Sequence, residues 1–149
     1  MTTDTVEGGR YFAADAAADD ELARLKLLEA LCDPWTFQHL DGIGVRQGWR
    51  CLDVGAGAGS VVRWLSERVG PTGKVVAADL DPRFLGDISA GNVEVRRCEI
   101  TKDPIEPSSY DLVHSRAVSD ARHALDDPAF IYRSGFLVSV WGCKATVLA

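Results

Sequence analysis

The chain has 149 residues, of which 46% are hydrophobic and 26% charged, and its formal net charge is −6. This length fits one domain, and the composition is that of a globular protein with enough apolar residues to build a core. Acidic residues outnumber the scattered lysines and arginines, so we expect no nucleic-acid partner. No apolar stretch is long enough to span a bilayer, and residues 1–4 lack the features of a signal peptide, which predicts no membrane partner.

The cysteines and histidines give no sign of a metal site. The four cysteines form no C-x-x-C pair, and the three histidines lack the spacing of metal ligands, so we predict no metal. Cys51 and Cys98 lie in apolar runs, where buried thiols are usual, and this predicts a cytoplasmic location. His114 lies near the end of another apolar run. We expect it to be bound by a backbone group rather than to act as a general base.

The first half of the chain begins with predicted helices. Residues 1–10 are predicted to be a flexible tail, and residues 11–149 a single domain. Leucines at helical spacing predict a helix from Asp19, which Asp33-Pro34 would end while starting a second helix. In that second helix, Trp35 is expected to pack inward, together with Leu40 and Ile43.

A strand–helix–strand unit follows. Residues 49–54 and 74–78 form short apolar runs typical of buried parallel strands, and residues 60–69 form an amphipathic helix between them. Residues 92–97 and 110–114 predict two further strands, the first of them nearer the sheet edge. The pattern predicts an α/β fold with a Rossmann-like, mostly parallel sheet, flanking helices and N-terminal helices over the site.

The first strand runs into a turn with glycine at every second position, at Gly55, Gly57 and Gly59, and the second strand ends in Asp79. Such a turn lets a ligand approach the backbone, and together with the acid it predicts a slot for a nucleotide at the mouth of the sheet. A dinucleotide fingerprint would need Gly or Ala where Ser60 stands, which argues against NAD. An acid two residues before the turn, Asp53, suits a cationic ligand better than a pyrophosphate.

Residues 53–59 resemble the first motif of class I methyltransferases that use S-adenosylmethionine (SAM). The resemblance implies that the glycine turn lies under the methionine part of SAM and that Asp53 organises its amino group. It also implies that Asp79 binds both ribose hydroxyls. The binding residues expected at the turn and after the second strand are Asp53, Gly55, Ala56, Gly57, Gly59, Asp79 and Leu80.

Two later segments carry the same resemblance, which extends from residue 11 to residue 118. Residues 98–100 resemble the family's turn after strand three, which implies that Glu99 and the Ile100 backbone contact the adenine. Residues 109–116 resemble its fourth strand, whose end, including Ser115, would face the sulfonium and the acceptor. The implied function is SAM-dependent methyl transfer to a small-molecule acceptor by in-line displacement. No general base can be identified.

The pattern changes after Arg116. The family's Pro-Gly-Gly turn is absent, and residues 136–142 resemble its last strand, which predicts that a segment is missing near residues 118–121. The C-terminal half of the sheet would then be shortened, with residues 136–141 pairing beside the fourth strand. An open sheet edge would favour a homodimer. Two alternatives stay open: a non-catalytic SAM-binding remnant or scaffold protein, and an NAD-dependent oxidoreductase.

Overall fold

The computed structural model describes residues 18–100, 102–117 and 138–143, with the backbone alone for 107, 117 and 138–143. Its two α-helices and five strands are α1 (Ala18–Ile43), β1 (Arg50–Val54), α2 (Ser60–Val69), β2 (Lys74–Asp79), β3 (Val93–Arg97), β4 (Leu112–Ala117) and β5 (Val138–Cys143). Two short 3₁₀ helices, Pro82–Leu85 and Pro107–Ser109, follow β2 and β3. No helix in this part of the chain is long and apolar enough to cross a membrane.

The five strands form one sheet in the order β3-β2-β1-β4-β5. The first four are parallel, and β5 runs antiparallel to β4, with Ala117 opposite Val138. This confirms the α/β, Rossmann-like prediction. The last strand was predicted at 136–141 and lies at Val138–Cys143, beside β4 as expected. The predicted tail (1–10) and missing segment (118–121) lie outside the described residues.

The strand–helix–strand unit forms as its pattern predicts. Four side chains of α2, at Val61, Val62, Leu65 and Val69, are buried on one face of the sheet. They pack with side chains from β1 and β2 that point to the same face, among them Cys51 and Val75. Because alternate strand residues point to opposite faces, Leu52 and Val76 join a second apolar cluster on the other side, with Cys98 and Tyr110.

The N-terminal helix is longer than predicted. A helix break at Asp33-Pro34 was wrong, because α1 continues from Ala18 to Ile43 with Pro34 inside it. Pro34 lacks an N–H, so the Ala30 carbonyl loses its helical donor. The Asp33 carboxylate does not cap a new helix. It accepts hydrogen bonds from Ser60 Oγ at 3.1 Å and Arg116 Nη1 at 2.7 Å instead.

The continuous helix also changes which side chains face the core. Leu40 is buried as predicted, and Ile43 packs against the first cluster. Trp35 was expected to pack inward, which was wrong, because it is 68% exposed. Leu27, Leu31 and Trp35 are four residues apart and share an exposed stripe of α1. A helix break at Pro34 would have allowed Trp35 to point in a different direction from Leu27 and Leu31.

The fourth strand begins two residues later than predicted. Asp111 precedes it, accepting a hydrogen bond from the Arg50 backbone N–H through its side chain and donating its own N–H to the Arg50 carbonyl, each at 2.8 Å. The strand also continues to Ala117, so His114 lies in the middle of β4 rather than at its end. In the register of the sheet, His114 then lies opposite Asp53 of β1.

Candidate functional site

The glycine turn joins β1 to α2 at the carboxyl ends of the parallel strands. Gly55, Gly57 and Gly59 all have positive φ, at 73°, 58° and 86°. The backbone N–H groups of Gly55 and Ala56 donate to the Ala78 carbonyl at 2.8 and 3.2 Å, which ties the turn to the end of β2. Side chains at these glycines would be strained, so the turn offers bare backbone to a ligand.

Asp79 is fixed against this turn. Its Oδ2 accepts from the Gly57 N–H at 2.8 Å and its Oδ1 from the Asp81 N–H at 2.9 Å. Asp79 is only 7% exposed. Burial raises the pKa of Asp79, opposed by these two hydrogen bonds and reinforced by the nearby Asp53 carboxylate. A carboxylate has about four acceptor positions, so about two stay available for hydroxyl donors.

Asp53 forms a buried pair with His114. Asp53 Oδ1 lies 2.6 Å from His114 Nδ1, and the two side chains are 3% and 2% exposed. The expectation of a backbone partner for His114 was wrong, since the ring binds a side chain. Sequence reasoning missed this pair because it depends on the register of β1 against β4, which the sequence pattern does not encode. The sequence did hold one sign of this pair. Asp53 and His114 each lie two residues after a buried strand residue, Cys51 and Leu112 respectively, so each points to the same face of the sheet as that residue.

Helix α1 lies over the glycine turn. A Cβ placed on Gly57 would lie 3.2 Å from Leu25 Cδ2. One turn later, Glu29 Oε1 accepts from the Ser60 backbone N–H at 3.0 Å, at the start of α2. The prediction that N-terminal helices cover this end of the sheet is thus confirmed, with one helix in place of two.

A polar cluster fastens α1 in this position, and we call Asp33, Ser60 and Arg116 the Asp33 cluster. Arg116 Nη1 donates to Asp33 at 2.7 Å, and its Nη2 lies 3.4 Å from Ser60 Oγ. The Arg116 and Asp33 side chains are 17% and 15% exposed. The cluster therefore joins α1, the start of α2 and the end of β4. Sequence analysis interpreted Asp33 as a helix cap and Ser60 as a departure from a dinucleotide motif.

The remaining predicted site residues lie directly after β2, directly after β3 and within β4. Leu80 follows Asp79 directly, and the Cys98 N–H donates to the Asp79 carbonyl at 2.8 Å, which holds residues 98–100 beside β2. The Glu99 carboxylate is 39% exposed and pairs with Lys102 at 2.9 Å, whereas Ile100 packs against the second cluster. Ser115 is buried in β4 opposite Val54. Among the predicted site residues, Gly57 and Asp79 are joined by a hydrogen bond, and the charge of Asp53 acts on Asp79.

The site is acidic. Asp53 and Asp79 are buried, and the Asp53 charge contributes to raising the pKa of Asp79. Within residues 18–100 and 102–116, neither carboxylate forms a salt bridge with a lysine or arginine. The same residues contain no group of three or more side chains that could hold a metal ion. The arrangement therefore suits a ligand that carries positive charge and hydroxyl donors.

Comparison with known proteins identifies the family. A model of a methyltransferase domain matches residues 51–131, more than half of the chain. The ubiquinone/menaquinone biosynthesis C-methyltransferase UbiE of Ectopseudomonas mendocina is 37% identical over 87 residues, covering 53% of this chain and 34% of that protein. The protein of the same name from Pseudomonas savastanoi pv. phaseolicola is 38% identical over 87 residues. The chain spans about a third of the length of these curated relatives.

The fold comparison agrees. A SAM dependent methyltransferase from Aquifex aeolicus superposes with a TM-score of 0.54 at 19% identity, covering 81% of this chain and 97% of the other. That likeness concerns the fold alone. The family model matches the segment that contains most of β1, the glycine turn, β2 and β4. The chain therefore belongs to the class I SAM-dependent methyltransferase domain family.

Proposed function

We propose that this chain is a SAM-dependent methyltransferase that transfers a methyl group to a small-molecule acceptor. SAM is the cofactor of the family to which the chain belongs. When bound, it supplies a methyl group on a positively charged sulfur. The observation that carries the proposal is the buried Asp79 carboxylate, held against the bare backbone of Gly57 and next to buried Asp53.

The residues fit such a cofactor. Asp79 has acceptor positions left for the ribose hydroxyls, and Asp53 has an oxygen left for the amino group. The bare turn leaves room for the methionine part. We assign the binding surface to the residues of the glycine turn and the adjoining strand ends: Asp53, Gly55, Ala56, Gly57, Gly59, Asp79, Leu80, Glu99, Ile100 and Ser115. The acceptor class is a proposal that the partial similarity to the UbiE proteins supports.

The chain's own contribution to methyl transfer is positioning. His114 is buried and bound to Asp53, so we do not assign it as a general base toward an acceptor. Helix α1, fastened by the Asp33 cluster, would keep water from the glycine turn, which favours a displacement between aligned groups. We also propose a cytoplasmic location, with which the buried Cys51 and Cys98 side chains in their apolar clusters are consistent.

Isothermal titration calorimetry tests the binding half of this proposal. We expect SAM and S-adenosylhomocysteine to bind the unaltered chain, NAD not to bind, and Asp79→Asn to weaken SAM at least about tenfold because a donor replaces one acceptor. Asp41→Asn is the matched control, because the Asp41 side chain is 48% exposed and pairs with Arg68 near the C-terminal end of α2, at the opposite end of that helix from the turn. Tighter binding of NAD than of SAM would contradict the proposal.

A second function is a non-catalytic SAM-binding protein. The observation that favours it is β5, which pairs antiparallel directly beside β4. A shortened sheet of this kind would leave little structure to hold an acceptor. A turnover assay over a panel of quinone, phenol, amine and carboxylate acceptors separates the two functions. Release of S-adenosylhomocysteine with any of them supports the enzyme, and binding without turnover supports the second function.

A further inference from the structure

We propose that His114 is a positioning residue that orients the Asp53 carboxylate toward the amino group of the cofactor's methionine part. The inference depends on the proposed function, because it assumes that Asp53 faces that amino group. It adds His114 to the binding residues assigned above. Its role follows from its contact with Asp53.

The contact is short and buried. His114 Nδ1 lies 2.6 Å from Asp53 Oδ1 on the neighbouring strand, and the backbone register places the two residues opposite each other. A carboxylate can only accept a hydrogen bond, so Nδ1 carries the proton and the ring donates. That donation engages one oxygen of Asp53. The other oxygen has no partner among the described residues.

Asp53 needs such a donor. A buried carboxylate without a hydrogen bond takes up a proton or turns toward water, and either change would remove the negative charge from the site. The turn supplies none of the donors that would be needed: the Gly57 N–H is bound to Asp79, and the N–H groups of Gly55 and Ala56 are bound to the Ala78 carbonyl. His114 is the one side-chain partner of Asp53 within residues 18–100 and 102–116.

The chemistry of imidazole suits this task better than that of a permanent cation. A lysine or arginine at position 114 would also hold Asp53, but its charge would cancel that of the carboxylate and repel a cationic ligand. A neutral imidazole donates a hydrogen bond and leaves the negative charge of Asp53 in place. The basic side chain nearest in β4, Arg116, is paired with Asp33 instead.

Packing alone does not explain a histidine at this position. The Nε2 atom of His114 is buried and has no hydrogen-bond partner in the described part of the chain. An unpaired buried polar atom destabilises a fold, whereas valine would fill a central strand position without that cost. This loss of stability is consistent with a histidine that is retained because its side chain contacts Asp53.

The test compares SAM with S-adenosylhomocysteine and 5′-methylthioadenosine, two thioethers that differ from each other only at the amino-acid end. SAM and S-adenosylhomocysteine carry the amino group, and 5′-methylthioadenosine lacks it. We expect His114→Val to weaken SAM and S-adenosylhomocysteine about tenfold while changing 5′-methylthioadenosine less than about twofold, as calorimetry would measure. Equal weakening of all three ligands would indicate that His114 has only a structural role. An unchanged affinity for SAM would indicate that His114 has no role in binding. Either result overturns the inference.

A second pair of variants tests the inference even if the His114→Val variant does not fold. Asparagine places an amide donor near the position of Nδ1, and glutamine places it near Nε2. We expect His114→Asn to retain SAM affinity within about threefold and His114→Gln to lose about tenfold. Equal affinities of the two variants overturn the inference. An unaltered chain that binds none of the three ligands overturns the proposed function itself, which distinguishes that failure from a failure of the His114 role alone.

Discussion

At the scale of single residues, the buried negative charge of Asp79 lowers the stability of the fold, and this effect can be measured by varying the pH. Burial raises its pKa above the usual 3.8, although the hydrogen bonds from Asp81 and Gly57 oppose the shift and the Asp53 charge adds to it. The folded chain therefore holds this proton to a higher pH than the unfolded chain does. Its contribution to stability is fully present below about pH 3.8 and is lost as the pH rises through the raised pKa.

Asp79→Asn removes that dependence. We expect the free energy of unfolding of the unaltered chain to fall relative to that of the variant as the pH rises from about 4 to 7. Urea titrations at half-unit pH steps measure both curves. A difference between the two chains that stays constant over this range would show that the raised pKa of Asp79 has no part in the stability.

At Gly59 of the turn, the backbone conformation and the neighbouring side chains both disfavour a larger residue. Its φ is 86°, and a Cβ there would lie 2.7 Å from Ile88 Cδ1 and 2.9 Å from Leu85 Cδ2. We expect Gly59→Ala to lower the free energy of unfolding by ~1–3 kcal/mol, as urea denaturation would measure. Gly42→Ala is the control: that glycine lies in α1 with nothing within 4 Å, so alanine should stabilise by ~0.5–1 kcal/mol. Equal effects would contradict the argument.

At the scale of elements, the Asp33 cluster fastens α1 to the sheet. Because Arg116 and Asp33 are largely buried, we expect a coupling energy of about 1–2 kcal/mol in a double-mutant cycle of Asp33→Asn and Arg116→Met. The Arg63–Asp87 pair is the control, with side chains 37% and 72% exposed, and should couple by less than about 0.5–1 kcal/mol. Similar couplings would mean that the cluster does not fasten the helix.

Pro34 gives a second prediction about α1. The residue is exposed, and its missing N–H leaves the Ala30 carbonyl without a helical donor. Alanine would restore that hydrogen bond and remove little contact, so we expect Pro34→Ala to raise the free energy of unfolding by ~1–3 kcal/mol. Thermal and urea unfolding measure the change. A loss of stability would show that the helix depends on the proline.

At the scale of the whole molecule, the predicted homodimer depends on which sheet edge a second copy could use. Among the described strands, β3 and β5 lie at the two edges. Glu94, Arg96 and Arg97 place charged side chains along β3, which discourages edge-to-edge pairing. A dimer would therefore use the β5 edge.

Light scattering on the intact chain tests this. We expect a mass twice that of one chain, unchanged by Arg96→Glu, because β3 would not be the interface. The dimer prediction fails if the mass is that of one chain at every concentration. If Arg96→Glu halves the mass, the interface lies at β3 instead.

The sequence predicted the elements whose signals are local. The strand–helix–strand unit carries its apolar pattern, glycine turn and terminal acid within about thirty residues, and all of these lie where expected. The side chains of α1 that face the core were not predictable in this way, because Pro34 indicates a helix break and the helix instead continues through it. The Asp53–His114 pair was also out of reach, since residues 61 positions apart meet only through strand register.

The contact between Leu25 and the glycine turn has a consequence for how the protein would respond to its cofactor. Leu25 Cδ2 stands 3.2 Å from the place where Gly57 would carry a side chain. A molecule that lies against Gly57 on this side would meet the leucine side chain, and the leucine belongs to a helix of 26 residues. Binding at the turn would therefore bring the ligand into contact with α1 as well as with the sheet.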